Sequence, residues 1–347
     1  MINAVENIDY QLVFLGDTSF GENYQVKIAK KGGVNILDSN GYDYCLEKVA
    51  RLISNADRII ANLETPLTNI ARSPFSGLKK YIHWSDRQMT PETLVKYGID
   101  SVSLANNHIL DYGIEGFEDT LHALQEYRIN GFGAGVSFEE ASRPLSFEVC
   151  SKKSVLVVAG LVSDPNHINR YINEWSEKSI VQQIKSIRKR NKNAFIIAYP
   201  HWGGNYMWKT EEQTTLGHEM INTGADIVIG HGAHALQEIE FYHGKWIIYS
   251  LGNFVFNSPG RYKTKNYINV SLIARLRFCD PDKRTITIKL YPILSDNSLT
   301  NYQPRPLTYA ETQNMATTLD AKCGLFHAYQ TKVAIELDEL GMFLYLK

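Results

Sequence analysis

Along this chain a short apolar run, rich in β-branched residues, repeatedly breaks off into a cluster of polar residues. Residues 10–15 end in Gly16-Asp17, 58–61 in Asn62-Leu63-Glu64, and 101–105 in Asn106-Asn107-His108. Residues 194–199 end in Pro200-His201-Trp202-Gly203, 226–229 in Gly230-His231-Gly232-Ala233-His234, and 246–251 in Gly252-Asn253. Apolar runs of this length read as buried strands. A further run at 154–162 ends less distinctively in Ser163-Asp164.

Between the runs lie helical periods at 42–53, 114–127, 174–190 and 211–222. Thr90-Pro91, with Gly98 beyond, has the start and stop of a helix: a capping Thr, Pro in the first turn and Gly after the end. Strands alternating with helices mean an α/β chain whose sheets are covered by helices, and alternation alone suggests a doubly wound parallel sheet. Residues 257–266 are polar and read as a loop. Beyond them, 267–278 and 284–292 alternate like antiparallel strands, and from Thr308 the chain is helical before an apolar, strand-like tail. No repeat or linker divides the 347 residues, so one domain is expected over 1–347, with 257–347 as a C-terminal extension of strands and helix.

Composition excludes several classes of function. The formal net charge of -1 provides no global field for nucleic acid or an anionic membrane. No apolar stretch is long enough to span a bilayer and no basic n-region opens the chain, so direct membrane insertion is not expected and a cytoplasmic location is. Cys45, Cys150, Cys279 and Cys323 form no CxxC pair, which argues against a disulfide framework or a thiolate zinc site.

In open α/β sheets, ligands bind at the carboxyl ends of the strands, where these polar clusters fall. Their residue types are carboxylate, amide and imidazole, a set that suits Zn, Mn or Fe rather than Ca or Mg. Taken singly, Gly16-Asp17 reads as a strand-to-turn Asp, Asn62-Leu63-Glu64 as a solvated strand end, and His201 beside Trp202 as a packed histidine. Gly230-His231-Gly232-Ala233-His234 is different, because two His in a Gly-rich turn have no packing reason to be there. His83, His122, His167, His218, His243 and His327 match no motif and read as structural or surface residues. Tyr81, Trp84, Tyr206 and Trp208 read either as stacking platforms or as core caps. Arg261, Lys263 and Lys265 read either as contacts for an anionic substrate or, as a short basic loop usually does, as a solvated loop.

Taken in order, six strings resemble the CapA family of poly-γ-glutamate and capsule synthesis proteins, within the calcineurin-like metallophosphoesterase superfamily. They are Phe14-Leu15-Gly16-Asp17; Ala61-Asn62-Leu63-Glu64-Thr65-Pro66; Ser103-Leu104-Ala105-Asn106-Asn107-His108 with Asp111 and Gly113; Pro200-His201-Trp202-Gly203; Gly230-His231 with His234; and Tyr249-Ser250-Leu251-Gly252-Asn253-Phe254. The resemblance runs from about Gln11 to about Phe256. It implies a four-layer αββα sandwich of two mixed sheets in place of the doubly wound sheet. It also implies one or two divalent transition metal ions, with Glu64 bridging them. Glu64, Asn107, His201 and His231 would form one site, and Asp17, Glu64 and His234 the other. His108 would be the proton donor to the leaving group, a task that suits an imidazole. Asp111 would orient His108, or else simply start a helix.

Phosphoesterases of this fold usually carry His two residues after the first Asp. Thr18-Ser19 stand here instead, which leaves the Asp17/His234 site with fewer ligands. Ala233 stands where family members commonly have Pro, and the sequence as read leads to no expectation of the N-terminal membrane anchor common in the family. The function implied is metal-dependent hydrolysis, with a phosphate ester of capsule, surface-polymer or related biosynthesis as substrate. Two alternatives stay open: amide or γ-glutamyl hydrolysis on the same metal site, and a non-catalytic metal-binding part of a polymer synthesis or export assembly. The expected partner is an anionic small molecule or polymer.

Overall fold

The structure is a computed structural model that describes residues 9–149, 153–162, 170–278 and 286–347. Cys150, Cys279, His167 and the strand end at Ser163-Asp164 lie outside the described residues. In chain order the strands begin with β1 (Tyr10–Ser19), β2 (Arg58–Leu63), β3 (Ile99–Ser103), β4 (Asn130–Phe132), β5 (Leu145–Val149) and β6 (Lys153–Val162). Next come β7 (Glu174–Trp175), β8 (Phe195–His201), β9 (Ile227–Ile229), β10 (Ile239–Tyr242), β11 (Lys245–Ile248) and β12 (Asn253–Phe256). The last are β13 (Val270–Phe278), β14 (Ile286–Leu294), β15 (Arg305–Pro306), β16 (Val333–Asp338) and β17 (Gly341–Leu346).

They form two mixed sheets. One runs β16-β17-β14-β13-β1-β2-β3-β4, with β12 also on β1 and β15 on β14; the other runs β10-β11-β9-β8-β6-β5, with β7 on β6. The sheets pack face to face. Phe14 of β1 meets Tyr199 of β8 with ring centroids 5.5 Å apart, and Phe195 meets Phe278 at 5.4 Å. β8 shows the two-residue period that this demands. Ile197 and Tyr199 join the core between the sheets, while Ile196 and Ala198 join a second core beneath the helices. That second core is closed by Ile180, Ile184 and Ile187 of the helix Glu177–Arg190 and by Leu216, Met220 and Ile221 of the helix Glu211–Thr223. Each set sits at helical spacing. Helices Met89–Lys96 and Gly113–Glu126 bury Leu94, Phe117 and Leu124 on the first sheet. The architecture is therefore the four-layer αββα sandwich and not a doubly wound sheet. β13 pairs antiparallel with β1 from Tyr10↔Phe278 to Phe14↔Ala274, so residues beyond 257 share the sheet that carries the first motif.

Several local expectations are corrected. Residues 42–53 do not make one helix: a 3-10 turn at Asp43–Cys45 and a short helix at Ala50–Ile53 bury the same apolar face, including Cys45, Leu46, Val49 and Leu52. The Glu174 segment begins as strand β7, and its helix starts only at Glu177, behind a Ser176–Ser179 capping box. Thr90 is not a cap. The Asp86 carboxylate accepts the Gln88 and Met89 amides at 2.8 Å each, while the Thr90 hydroxyl donates to buried Glu22 at 3.1 Å. The 257–266 loop contains the helical turn Tyr262–Lys265, which buries Tyr262.

Close approach at Gly16 holds the first motif against β12. A Cβ there would stand 1.7 Å from the Gly252 carbonyl oxygen, the same oxygen that accepts the Asp17 amide at 3.0 Å. Gly16→Ala must therefore displace backbone. It should lower stability by about 3 kcal/mol or more in urea unfolding. Gly217→Ala, inside a helix and in ordinary contact with its neighbours, should be neutral or stabilising.

Candidate metal centre

Strand register builds the site. In the parallel pairing of β1 with β2, Asp17 lies beside Asn62; in that of β1 with β12, it lies beside Asn253. In the second sheet, His201 at the end of β8 bridges to His231, just past β9. The carboxyl ends of β1, β2, β8 and β9 thus meet at one end of the sandwich.

Two groups of ligand-type atoms result, each with its atoms within 4.8 Å of one another: Asp17, His201 and His231; and Asp17, Glu64 and His234. All five residues are buried. Asp17 Oδ1 lies 3.3 Å from His231 Nδ1 and 4.0 Å from His201 Nδ1, while Oδ2 lies 3.4 Å from His234 Nδ1. Glu64 Oε1 stands 3.6 Å from His234 Nε2 and 4.0 Å from His201 Nε2. The carboxylate common to both groups is thus Asp17, where the resemblance implies Glu64. Asp17 lies on a central strand flanked by both β2 and β12.

Backbone and amide groups aim these side chains. The Gly232 amide donates to both Asp17 oxygens, at 3.0 and 3.1 Å, from a φ of +104° that favours glycine. Asn62 Nδ2 donates to Asp17 Oδ1 at 2.9 Å. Asn253 Oδ1 pairs with His234 Nδ1 at 2.9 Å, and His234 itself sits at φ +58°, a costly conformation outside glycine. Of the two adjacent asparagines, Asn106 is the buried one. Its amide donates to Asn62 Oδ1 at 3.1 Å and to the Leu63 carbonyl at 2.8 Å, and its Oδ1 accepts the His108 amide. Asn107 is exposed, and its main-chain carbonyl accepts from Lys79.

Electrostatics make this a candidate site for a cation. Neither Glu64 oxygen, nor His231 Nε2, has a hydrogen-bond partner among the described residues, although all three atoms are buried. A buried carboxylate without donors is costly unless a cation or a proton meets it. Burial, reinforced by the Asp17 charge, pushes the Glu64 carboxyl well above its ordinary range. Burial also works to raise Asp17, but the His231 and His234 imidazoles hold it well below that range. For His234, burial opposes the charged form, yet Glu64 and Asp17 overcome it and raise the imidazole to about 9. Burial, then the neighbouring His231, depresses His201. Two carboxylates and three imidazoles converging around donor-free oxygens fit a divalent transition metal.

His108 belongs to neither group but stands beside them, with Nε2 3.9 Å from Glu64 Oε1. Its Nδ1 lies 2.6 Å from Asp111 Oδ2, which also accepts the His83 amide at 2.6 Å; Lys79 pairs with the other Asp111 oxygen. An acceptor so placed assigns the Nδ1 proton to His108 and leaves Nε2 facing the cluster. His83 stacks on His108 with centroids 3.7 Å apart and planes within 5°. Its Nδ1 lies 3.2 Å from the Glu64 carbonyl, and its Nε2 lies 3.1 Å from the Tyr24 hydroxyl. Sequence reasoning missed His83, Asn62, Asn253 and Lys79. Asn62 and Asn253 sit inside motif strings, so their signal was available. His83 and Lys79 carry no local signal. A cavity of about 260 Å³ opens beside the cluster, lined by His83, His108, His234, Tyr206 and Arg261 among others.

The family model of the bacterial capsule synthesis protein PGA_cap matches residues 11–258. The chain belongs to that family. It is 26% identical over 346 residues to the capsule biosynthesis protein CapA of Bacillus anthracis, covering 96% of this chain and 79% of that one. It is 27% identical over 251 residues to the PGA biosynthesis protein CapA of Bacillus subtilis, covering 70% and 62%. A probable polyglutamine synthesis accessory protein of Mycobacterium tuberculosis is 25% identical over 253 residues, covering 68% and 66%. The chain thus spans less than two thirds of the length of the last two relatives. Among solved structures, it is similar to a phosphatase of Mycoplasma pneumoniae, with a TM-score of 0.46 and 13% identity, covering 86% of this chain and 98% of that one. It is also similar to a 5'-nucleotidase from Candida albicans, with a TM-score of 0.45 and 10% identity, covering 92% and 59%. No helix among the described residues is long and apolar enough to cross a membrane.

Proposed function

We propose that this protein is a metal-dependent hydrolase of the phosphoesterase type, acting on an anionic substrate of capsule or surface-polymer metabolism. The observation that carries this reading is His108, an imidazole outside both ligand groups, fixed by Asp111 and turned toward them. A purely structural metal site needs its ligands but has no use for an oriented, unligated acid beside them. Asp17, Glu64, His201, His231 and His234 would hold one or two ions of Mn, Zn or Fe. When bound, such an ion polarises the group under attack and activates water. The chain's own part is to exclude solvent from Asp17 and Glu64, to hold the imidazoles in place, and to deliver a proton from His108 Nε2 to the departing oxygen. Burial, then the nearby Lys79 charge, lowers His108 well below the usual imidazole range, so its protonated form gives up a proton readily.

Hydrolysis of an amide or γ-glutamyl bond is the second reading, favoured by relatives named for PGA and polyglutamine synthesis. The test is metal analysis of protein purified without chelator, paired with turnover assays on phosphomonoesters, phosphodiesters and γ-glutamyl peptides. At least one bound transition metal and turnover of one ester class are expected. A protein that takes up no transition metal when it is supplied in excess would sink both readings. Metal without turnover of any class would favour a non-catalytic accessory role.

A further inference from the structure

We propose that Arg261 forms an anion subsite of this centre, so that the substrate carries a second carboxylate or phosphate besides the group attacked. This deepens the hydrolase reading and rests on it. The cavity beside the cluster has His108 and His234 on one side and Arg261 on another. The Arg261 guanidinium lies between two tyrosine faces, 5.6 Å from the Tyr81 ring centroid and 5.7 Å from that of Tyr206. It has no ion pair among the described residues, unlike Lys79, which is bound to Asp111. An arginine that faces a cavity, braced by rings and paired with no carboxylate, keeps its planar fork free for an incoming oxyanion.

The loop that carries Arg261 is built to hold it there. Buried Asn297 donates to the carbonyls of Phe256 and Ser258 at 2.7 Å each. The next residue, Tyr262, is buried and donates its hydroxyl to the His234 carbonyl at 2.9 Å. Arg261 is thereby tied through one side chain to the turn that supplies a candidate ligand. Its distance from the cluster is fixed by the fold and not by a mobile surface loop. The remaining lining includes Tyr24 and Phe256, so the stretch between the two anionic groups meets ring faces and no opposing charge.

The test is calorimetric binding to the full chain supplied with Mn(II), using probes that differ in the second anionic group. Glutarate against its monoamide reads a carboxylate, and propane-1,3-diyl bisphosphate against propyl phosphate reads a phosphate. In the unmodified protein, the doubly anionic member of one pair should bind roughly tenfold or more tightly than its partner. Arg261→Gln should abolish that preference while leaving the singly anionic probe unchanged, and Arg261→Lys should keep part of it. The pair that responds names the anion. No preference in the unmodified protein for either pair, or a preference that survives Arg261→Gln, overturns the subsite. Because binding and not turnover is read, loss of the preference in a protein that hydrolyses nothing would leave the subsite standing and remove the hydrolase reading alone.

Discussion

Asp17→Asn should abolish transition-metal binding, whereas His122→Ala, at a helix position remote from the motifs, should not. Asp17 is the residue common to both ligand groups, one oxygen facing His201 and His231 and the other His234. An amide at this position can offer only one oxygen. Its NH2 would confront either the Gly232 amide or an imidazole nitrogen, where an acceptor is required. The effect should show in two measurements. Metal content after dialysis should fall to background. The thermal midpoint, which excess Mn(II) should raise in the unmodified protein, should no longer respond. At about one hundred times Kd, an ion that binds only the folded state adds roughly 2.7 kcal/mol, a shift of several degrees for a chain of this size. An Asp17→Asn protein that keeps stoichiometric metal would remove Asp17 from the centre.

The same cluster sets the pH dependence of metal uptake. If Glu64 stays ionised, its charge keeps a proton on His234; if Glu64 is neutral, it carries that proton itself. Either way the metal-free pair holds at least one proton near neutrality, and a cation must displace it. Affinity should therefore rise with pH as that proton becomes easier to remove, and flatten above about 9, the value to which His234 is raised.

Much of the cluster was legible in the sequence because strand ends are. Asp17, Glu64, His201 and His231 each follow an apolar run and lie within two residues of the ends of β1, β2, β8 and β9, and a parallel strand delivers such residues to one edge. Their chemistry did the rest. What stayed hidden depends on contacts between distant segments. Glycine spacing around His231 and His234 does not reveal that the Gly232 amide serves Asp17, more than two hundred residues earlier. His83 has no motif, since its role exists only where the chain folds its ring onto His108. That Asn106 is buried and Asn107 exposed turns on which side chain faces the Asn62 amide, and two identical neighbours give no hint of that. Arg261 could be read either as a contact for an anionic substrate or as part of a solvated basic loop. The burial of Tyr262 beside it, against His234, and the Asn297 bonds to the preceding carbonyls bring that loop to the cavity.

His108→Ala should reduce turnover by roughly two to four orders of magnitude while leaving metal content intact. The two proposed roles fall on different residues. His108 sits outside both ligand groups, and its Nδ1 is engaged by Asp111, so its removal takes no candidate ligand away. The loss should depend on the leaving group. A nitrophenolate departs without help, so nitrophenyl esters should lose little; an alkoxide needs the proton, so alkyl esters should lose nearly all activity. Asp111→Asn should reproduce a weakened form of this pattern, because an amide still accepts from Nδ1 but carries no charge to hold the imidazole. His201→Ala should fail differently, losing metal and all turnover whatever the leaving group, since His201 lies within one of the groups. If His108→Ala slowed nitrophenyl and alkyl esters equally, His108 would be shaping the site and not donating a proton.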